Sequence, residues 1–251
     1  MTAHALPAHA FAAPSPRGAC PGLSAPMPTG DGLLVRLLPI GTIPLAAFGA
    51  LCRIARAHGN GVIEVTSRGS IQVRGLSAAS APSFAAAVAA LGIAAEDGVP
   101  VHCNPLAGIE PEEIFDAGAL GDSLRRRLMQ QSMAARVSAK VSVAIDGGGS
   151  LNLAMLPADI RLRALATPDG VVLHVSVGGD ESSAADLGII APADAIEAVM
   201  RLLEVLAKRG RTTRSRDVLS GEGATAFRSA TDALVTSARP RESGHPERMM
   251  S

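Results

Sequence analysis

Hydrophobic and polar positions alternate along VIEVTSRGSIQVRGL, from Val62 to Leu76, in two runs that meet at a turn built around Arg68 and Gly69. A period of two puts Ile63, Val65, Ile71 and Val73 on one side of a hairpin and Glu64, Thr66, Gln72 and Arg74 on the other. Upstream, DGLLVRLLPI (Asp31 to Ile40) reads as a strand with Leu33, Val35 and Leu37 on one face and Arg36 on the other. Between them, Leu45, Phe48, Leu51, Cys52 and Ala55 recur at three- and four-residue steps. That stripe predicts a helix with Pro44 in its first turn and a stop near Gly59. APSFAAAVAALGIAA predicts a second helix, with Pro82 near its start and Gly92 near its end. Strand, helix, strand, strand, helix is a split βαβ unit extended by a helix. The helices must cover the Ile63, Val65, Ile71 and Val73 face, so Arg36, Glu64, Thr66, Gln72 and Arg74 share the uncovered one. A face so polar is either open to water or turned toward a charged ligand.

From about Val99 the texture changes. HCNPLAGIEPEEIF reads as a loop leading into a short helix, and DSLRRRLMQQSMAARV as a longer helix. KVSVAI, SLNLAML, IRLRALA and VVLHVSV read as four successive strands, joined by the turn signals DGGG, PAD and TPDG. PADAIEAVMRLLEVLAKRG is an amphipathic helix with Ile196, Val199, Leu202, Leu203 and Leu206 on its buried side, and ATAFRSATDALV holds a shorter one. The expected organisation is α+β throughout. A small βαββα domain (16–96) precedes a larger α+β domain (97–237), flanked by a disordered leader (1–15) and tail (238–251). Two such domains joined by one short connection often bind ligand in the cleft between them.

Composition removes several functional classes. Lysine plus arginine and aspartate plus glutamate both count 23, which gives no argument for nucleic acid or an anionic membrane as partner. Trp and Tyr are absent, so neither can stack on a base or sugar. The uncharged run Ser77 to Ala95 is long enough for a membrane span, but its serines, proline and alanines favour a soluble helix. Cys20, Cys52 and Cys103 are widely spaced and odd in number, which fits free thiols in a reducing, cytoplasmic setting.

No GxSxG, HExxH or Walker loop is present, and the histidines are not spaced as metal ligands. DGGGS (Asp146 to Ser150) lacks a following helix that would offer N–H groups to phosphate, so it reads as a hairpin turn. The basic run Lys208 to Arg216 reads as a solvated helix end with cations at the negative dipole, the alternative being a polyanion site. Consecutive Arg125, Arg126 and Arg127 on a helix read as a solvated face. Arg36, Arg68 and Arg74 differ, because one sheet face and its turn gather them from three sequence positions, and guanidinium groups suit carboxylates.

RGACPGLSAPMPTGDGLLVRLLP followed by HGNGVIEVTSRGSIQVRGL resembles the ferredoxin-like half-domain of sulfite and nitrite reductases, and within that superfamily the precorrin-3B synthase family. PLAGI, AIDGGG, PADIRLRA and SVGGD follow in family order, so the resemblance covers about residues 17–220. It implies a sulfite/nitrite reductase-type tetrapyrrole-binding domain and an oxygen-dependent hydroxylation with lactone formation on precorrin-3A, a step of aerobic cobalamin synthesis. It assigns Arg36 and Lys140 to the substrate side as catalytic residues, and Thr66, Arg68, Gln72 and Arg74 to a clamp on the tetrapyrrole carboxylates. The partners it implies are precorrin-3A, O2, an electron donor and a second half-protein or a second copy. It also implies a [4Fe–4S] cluster and a non-haem iron, with siroheme the lesser alternative. The family's cluster thiolates come from C-x5-C and C-x3-C pairs in its second half, and three cysteines here cannot supply them. Ser138 and Val141 replace the proline and aromatic residue that flank the family lysine, and Val99 and Pro100 stand where relatives carry Arg-Asn. The competing expectation is a tetrapyrrole-binding module, or a truncated reductase-like fragment, without redox chemistry.

Overall fold

A computed structural model describes residues 21–96 and 98–236. Cys20, the leader and the tail therefore lie outside the described residues. The first unit is a four-stranded antiparallel sheet of β1 (Met27–Thr29), β2 (Gly32–Leu37), β3 (Ile63–Val65) and β4 (Ile71–Leu76), in the order β1-β2-β4-β3. Helices α1 (Leu45–His58) and α2 (Ala81–Ala89) lie on one face. Val35, Leu37, Ile71, Val73 and Leu76 from the sheet pack there against Leu51, Ala55, Phe84 and Val88 from the helices. The alternation held for Ile71 and Val73, but Val65 is 68% exposed because β3 is an edge strand and ends beyond the helices' cover. Leu45 is 86% exposed, since it starts α1 before the helix reaches the sheet. A register shift between Leu33 and Val35 also buries Leu34, which a strict period of two would have turned outward.

The second unit is a six-stranded mixed sheet. Its strands are β5 (Val101–Cys103), β6 (Val143–Asp146), β7 (Ala158–Thr167), β8 (Gly170–Gly179), β9 (Ala185–Ile190) and β10 (Val235–Thr236), in the order β10-β9-β8-β7-β6-β5. Helices α3 (Ala117–Gln130), α4 (Ala195–Ala207), α5 (Ser215–Glu222) and α6 (Thr225–Thr231) complete it. Ile160, Leu162, Leu173, Val175 and Val177 form the sheet side of a core that α4 fills with Val199, Leu202, Leu203 and Leu206. Each apolar position removed from water contributes roughly 1.5–3 kcal/mol, which makes this core the main source of stability.

Three sequence expectations fail here for one reason. SLNLAML is a loop, DGGGS is not a hairpin turn, and HCNPLAG opens with a strand, β5, because β5, β6 and β7 are parallel neighbours. Parallel strands cannot be joined by a tight turn, so residues 147–157 must cross over from the end of β6 to the start of β7. The apparent alternation in SLNLAML is incidental, and Leu151 and Met155 are 50% and 83% exposed. No helix forms over GIEPEEIF, while β1, β9 and α5 were not anticipated.

A buried ion pair joins α5 to the sheet. Asp159, 2% exposed, accepts from Arg214 Nε at 2.8 Å and Nη2 at 2.7 Å, and from the backbone N–H groups of Ser142 and Ser215, both at 3.0 Å. Two of the five cations in the basic run are thus spent on internal contacts, since Arg209 also pairs with Glu222. Asp159→Ala would leave a guanidinium and two amides without their acceptor, and should lower unfolding stability by about 3 kcal/mol or more, read from urea denaturation.

Candidate functional site

The hairpin between β3 and β4 is closed by Thr66, whose backbone N–H donates to the Ser70 carbonyl at 2.9 Å and whose Oγ1 accepts from the Ser70 N–H at 3.2 Å. Gly69 takes φ +72°, a left-handed turn position that favours glycine. These bonds project the exposed Arg68 from the turn. Behind it, Arg36, Gln72 and Glu64 sit side by side across β2, β4 and β3. Turned to satisfy both partners, the Gln72 amide oxygen accepts from Arg36 Nε at 3.2 Å and Nη2 at 2.8 Å. Gln72 is consequently only 8% exposed, a departure from the open polar face that alternation implied, because its two cross-strand neighbours drape over it.

Arg74 is held from two sides. Its Nε donates to Glu64 at 2.7 Å and its Nη1 to Asp31 at 3.4 Å, and the Glu64 hydrogen bond is the main influence raising its pKa. Asp31 is lowered, first by its hydrogen bond from Thr29 and also by Arg74. Arg36 and Arg68, in contrast, have no ion-pair partner among the described residues.

A cleft of about 1080 Å³ opens between the two sheets. Its first wall is the segment after β2, with Ile43, Phe48 and the hairpin residues Val65 and Arg68; its second is β5, the start of α3 and the crossover loop 152–157. Of the six site residues expected from sequence, Arg68 alone lines this cleft. Arg36, Gln72 and Arg74 form a group behind it on the sheet face, Thr66 builds the turn, and Lys140 is exposed in the turn before β6.

The structure adds residues that sequence reasoning passed over. Arg125 was expected on a solvated face, yet its side chain is only 15% exposed. Its Nε donates to Glu96 at 2.5 Å and its Nη2 to the Val101 carbonyl at 2.6 Å, which ties α3 to the linker and to β5. Burial opposes the Arg125 charge, but Glu96 outweighs it and raises the pKa. Asn104, 4% exposed, donates to Asp146 Oδ1 at 3.0 Å and accepts from the Gly147 N–H at 2.6 Å, while Asp146 Oδ2 accepts from the Leu153 N–H at 2.7 Å. Buried Arg161 donates to the Leu153 carbonyl at 3.0 Å and to that of Leu156. Together these groups pin the crossover loop as the cleft's far rim. None lies in a hydrophobic period, and the one available signal was the row of polar residues, His102, Asn104 and Asp146, next to apolar strand positions.

His102 and Cys103 complete the β5 wall. His102 Nε2 is shielded from solvent and has no hydrogen-bond partner, a state that costs about 1–3 kcal/mol for a buried polar atom. Burial first, then the charges of Arg68 and Arg125, push its pKa from 6.5 down to about 4. Burial also raises the Cys103 thiol to about 11, and its Sγ donates to the Ala117 carbonyl at 3.3 Å. Cys103 is therefore a packed, unreactive thiol at neutral pH.

The implied iron–sulfur cluster does not fit these residues. Cys52 is on α1 and Cys103 on β5, and among the described residues no group of three or more His, Cys, Asp or Glu is placed to hold a metal. Among those residues, no helix is long and apolar enough to cross a membrane.

Comparison with known proteins bears on the fold and the family. Residues 25–91 fit the family model of the nitrite/sulfite reductase ferredoxin-like half domain. A solved structure of the Mycobacterium tuberculosis NirA protein aligns with a TM-score of 0.68 at 19% identity, over 85% of this chain and 43% of that one. Dissimilatory sulfite reductase I aligns with a TM-score of 0.64 at 12% identity, over 87% of this chain and 73% of that one. The fold is that of the nitrite/sulfite reductase class, and the chain carries its ferredoxin-like half-domain. Within that class its sequence relative is precorrin-3B synthase: the protein of a Sinorhizobium species is 43% identical over 222 residues, 87% of this chain and 48% of the relative. The chain thus spans about half the length of that relative.

The His102 shift has a consequence for stability. The unfolded chain takes up the imidazole proton near pH 6.5 and the folded protein only near 4, so stability falls as pH drops through that window and is unaffected above it. His102→Gln should remove about 2 kcal/mol of the stability difference between pH 7 and pH 4.5, measured by urea denaturation at both.

Proposed function

We propose that this chain is the tetrapyrrole-binding part of a precorrin-3B synthase-type oxidoreductase, and that its cleft receives a carboxylated tetrapyrrole of the precorrin-3A kind. One observation carries this reading. Arg68 is an exposed guanidinium without an ion-pair partner among the described residues, at the edge of a large cleft whose walls set Ile43, Phe48, Val65, Ile109 and Met155 beside polar Asn104, Asp122, Arg125 and Asn152. A macrocycle with an apolar face and a rim of acetate and propionate groups matches that pairing of an apolar wall with an open cation. The 43% identity to precorrin-3B synthase supports the same ligand class.

In this reading the protein's own residues bind and orient. Arg68 holds a peripheral carboxylate. Arg36, positioned by the Gln72 amide, supplies positive potential behind it. Arg74, already neutralised by Glu64 and Asp31, braces the sheet face and contacts ligand only by exchanging one of those carboxylates. Lys140 keeps a substrate-side role only if the exposed turn that carries it approaches a ligand extending beyond the cleft. The reaction itself, oxygen-dependent hydroxylation and lactone closure with an electron donor, needs redox groups for which the described residues offer no ligand set. They would come from the part of the relative that this chain does not span, supplied by a second half-protein. The edge strand β3, with Val62 46% and Val65 68% exposed, offers an unpaired edge for such a partner.

The missing ligand set also favours a second reading, a tetrapyrrole-binding module without redox chemistry. Anaerobic purification with iron and sulfide analysis, alone and with a co-expressed partner chain, separates the two. Iron that appears with the partner supports the oxidoreductase; its absence in both preparations leaves the module. Binding is tested separately. Arg68→Ala should weaken affinity for a carboxylated porphyrin by about 1.5–3 kcal/mol, as for a charge-assisted hydrogen bond, and Arg74→Ala should weaken it less. Equal affinity of wild type and Arg68→Ala would remove the clamp.

A further inference from the structure

His102 is an anomaly in the cleft wall. β5 pairs with β6 so that Val101 points into the core and His102 points to the opposite side, beside the small side chain of Ala144. Two cations act on the ring through their charge: Arg68 from the hairpin turn and Arg125 from α3. Arg125 is already occupied by Glu96, by Asp122 at 3.0 Å and by the Val101 carbonyl, while Arg68 has no acid partner among the described residues. Neighbouring Cys103 is a protonated thiol that hydrogen-bonds elsewhere. The imidazole is therefore kept neutral with Nε2 unpaired, in a residue that lines the cleft.

We propose that His102 is a ligand-contacting residue: its Nε2, shielded from solvent in this structure, reaches by a rotation of the ring the same ligand carboxylate that Arg68 holds. This rests on the reading of the cleft as a site for a carboxylated tetrapyrrole. A carboxylate between Arg68 and the ring supplies the partner that the protein withholds. It also offsets the positive field on the imidazole, so the ring takes up one proton from solvent as the ligand binds. Affinity then rises as pH falls from 8 toward 6, where the ligand carboxylates are still ionised.

Uroporphyrin III, with its rim of carboxylates, serves as the probe, titrated by fluorescence against the full chain at pH 8 and pH 6. Wild type should bind several-fold tighter at pH 6. His102→Gln keeps a hydrogen-bonding amide that does not titrate, and should bind equally at both pH values. His102→Phe should bind about ten-fold more weakly than wild type at pH 6, the loss of a charge-assisted hydrogen bond. Thermal melting checks that each variant is folded, with His102→Ala replacing the phenylalanine variant if that does not fold. Failure of the wild-type chain to bind overturns the functional reading and this inference together. Wild-type binding that weakens on Arg68→Ala, yet keeps its strength and pH slope with Gln and Phe at position 102, leaves the reading standing and overturns the role of His102.

Discussion

The contact between Arg125 and Glu96 sets the relation of the two sheets. The linker strand does part of the work, since Ile40 N–H donates to the Ala94 carbonyl at 2.9 Å and Glu96 N–H to the Leu38 carbonyl at 2.8 Å. Those bonds attach residues 94–96 to the first unit. The Glu96 carboxylate then grips Arg125 on α3, and Arg125 grips the Val101 carbonyl on β5. One half-buried guanidinium thus holds a helix, a strand and a linker in one arrangement. With side-chain exposures of 15% and 9%, neither partner can be solvated in place of the other, so the pair behaves as a single unit. The cleft, with Arg68 on one wall and His102 on the other, has its width because of it.

The first unit was legible because each of its elements has its own hydrophobic period. The stripe of α1 and the double alternation of the hairpin both point to one buried face, and Leu51, Ala55, Ile71 and Val73 lie there. The second unit was less so. A three-residue parallel strand such as VHC is too short to show a period, and a loop such as SLNLAML can alternate by chance. Helices α3 and α4 were readable, but the strand order was not, because parallel pairing depends on contacts far apart in sequence. The arginine grouping was visible by parity. Parity set Glu64 beside Arg74, but it could not reveal the second carboxylate, Asp31, which is 43 residues away. Nor could it show Arg125 leaving its two neighbours to turn inward.

Charge in this protein is sorted by use. Arg74, Arg125, Arg161 and Arg214 are committed to internal acceptors and build the frame, while Arg36 and Arg68 keep free valence on the sheet face and its turn. The sorting is local. Committed cations have a carboxylate or carbonyl brought to them by a defined turn or strand end, and Arg68 projects from a turn closed by backbone bonds and the Thr66 hydroxyl. A neutral overall composition therefore coexists with a cleft whose near wall carries unbalanced positive charge.

The crossover loop 147–157 carries a different implication, for how this cleft can change over evolutionary time. Its start is committed to glycine, because a Cβ at Gly147 would collide with the Phe115 carbonyl and Gly149 takes φ +90°. Asn104, Asp146 and Arg161 hold its backbone, not its side chains. Met155, which lines the cleft and is largely exposed, is thus displayed from that rim without supporting it. Related sequences can exchange it to suit ligands of different outline while the loop path stays constant. Divergence in ligand preference should accumulate at that displayed position and leave the glycines and the Asn–Asp pair untouched.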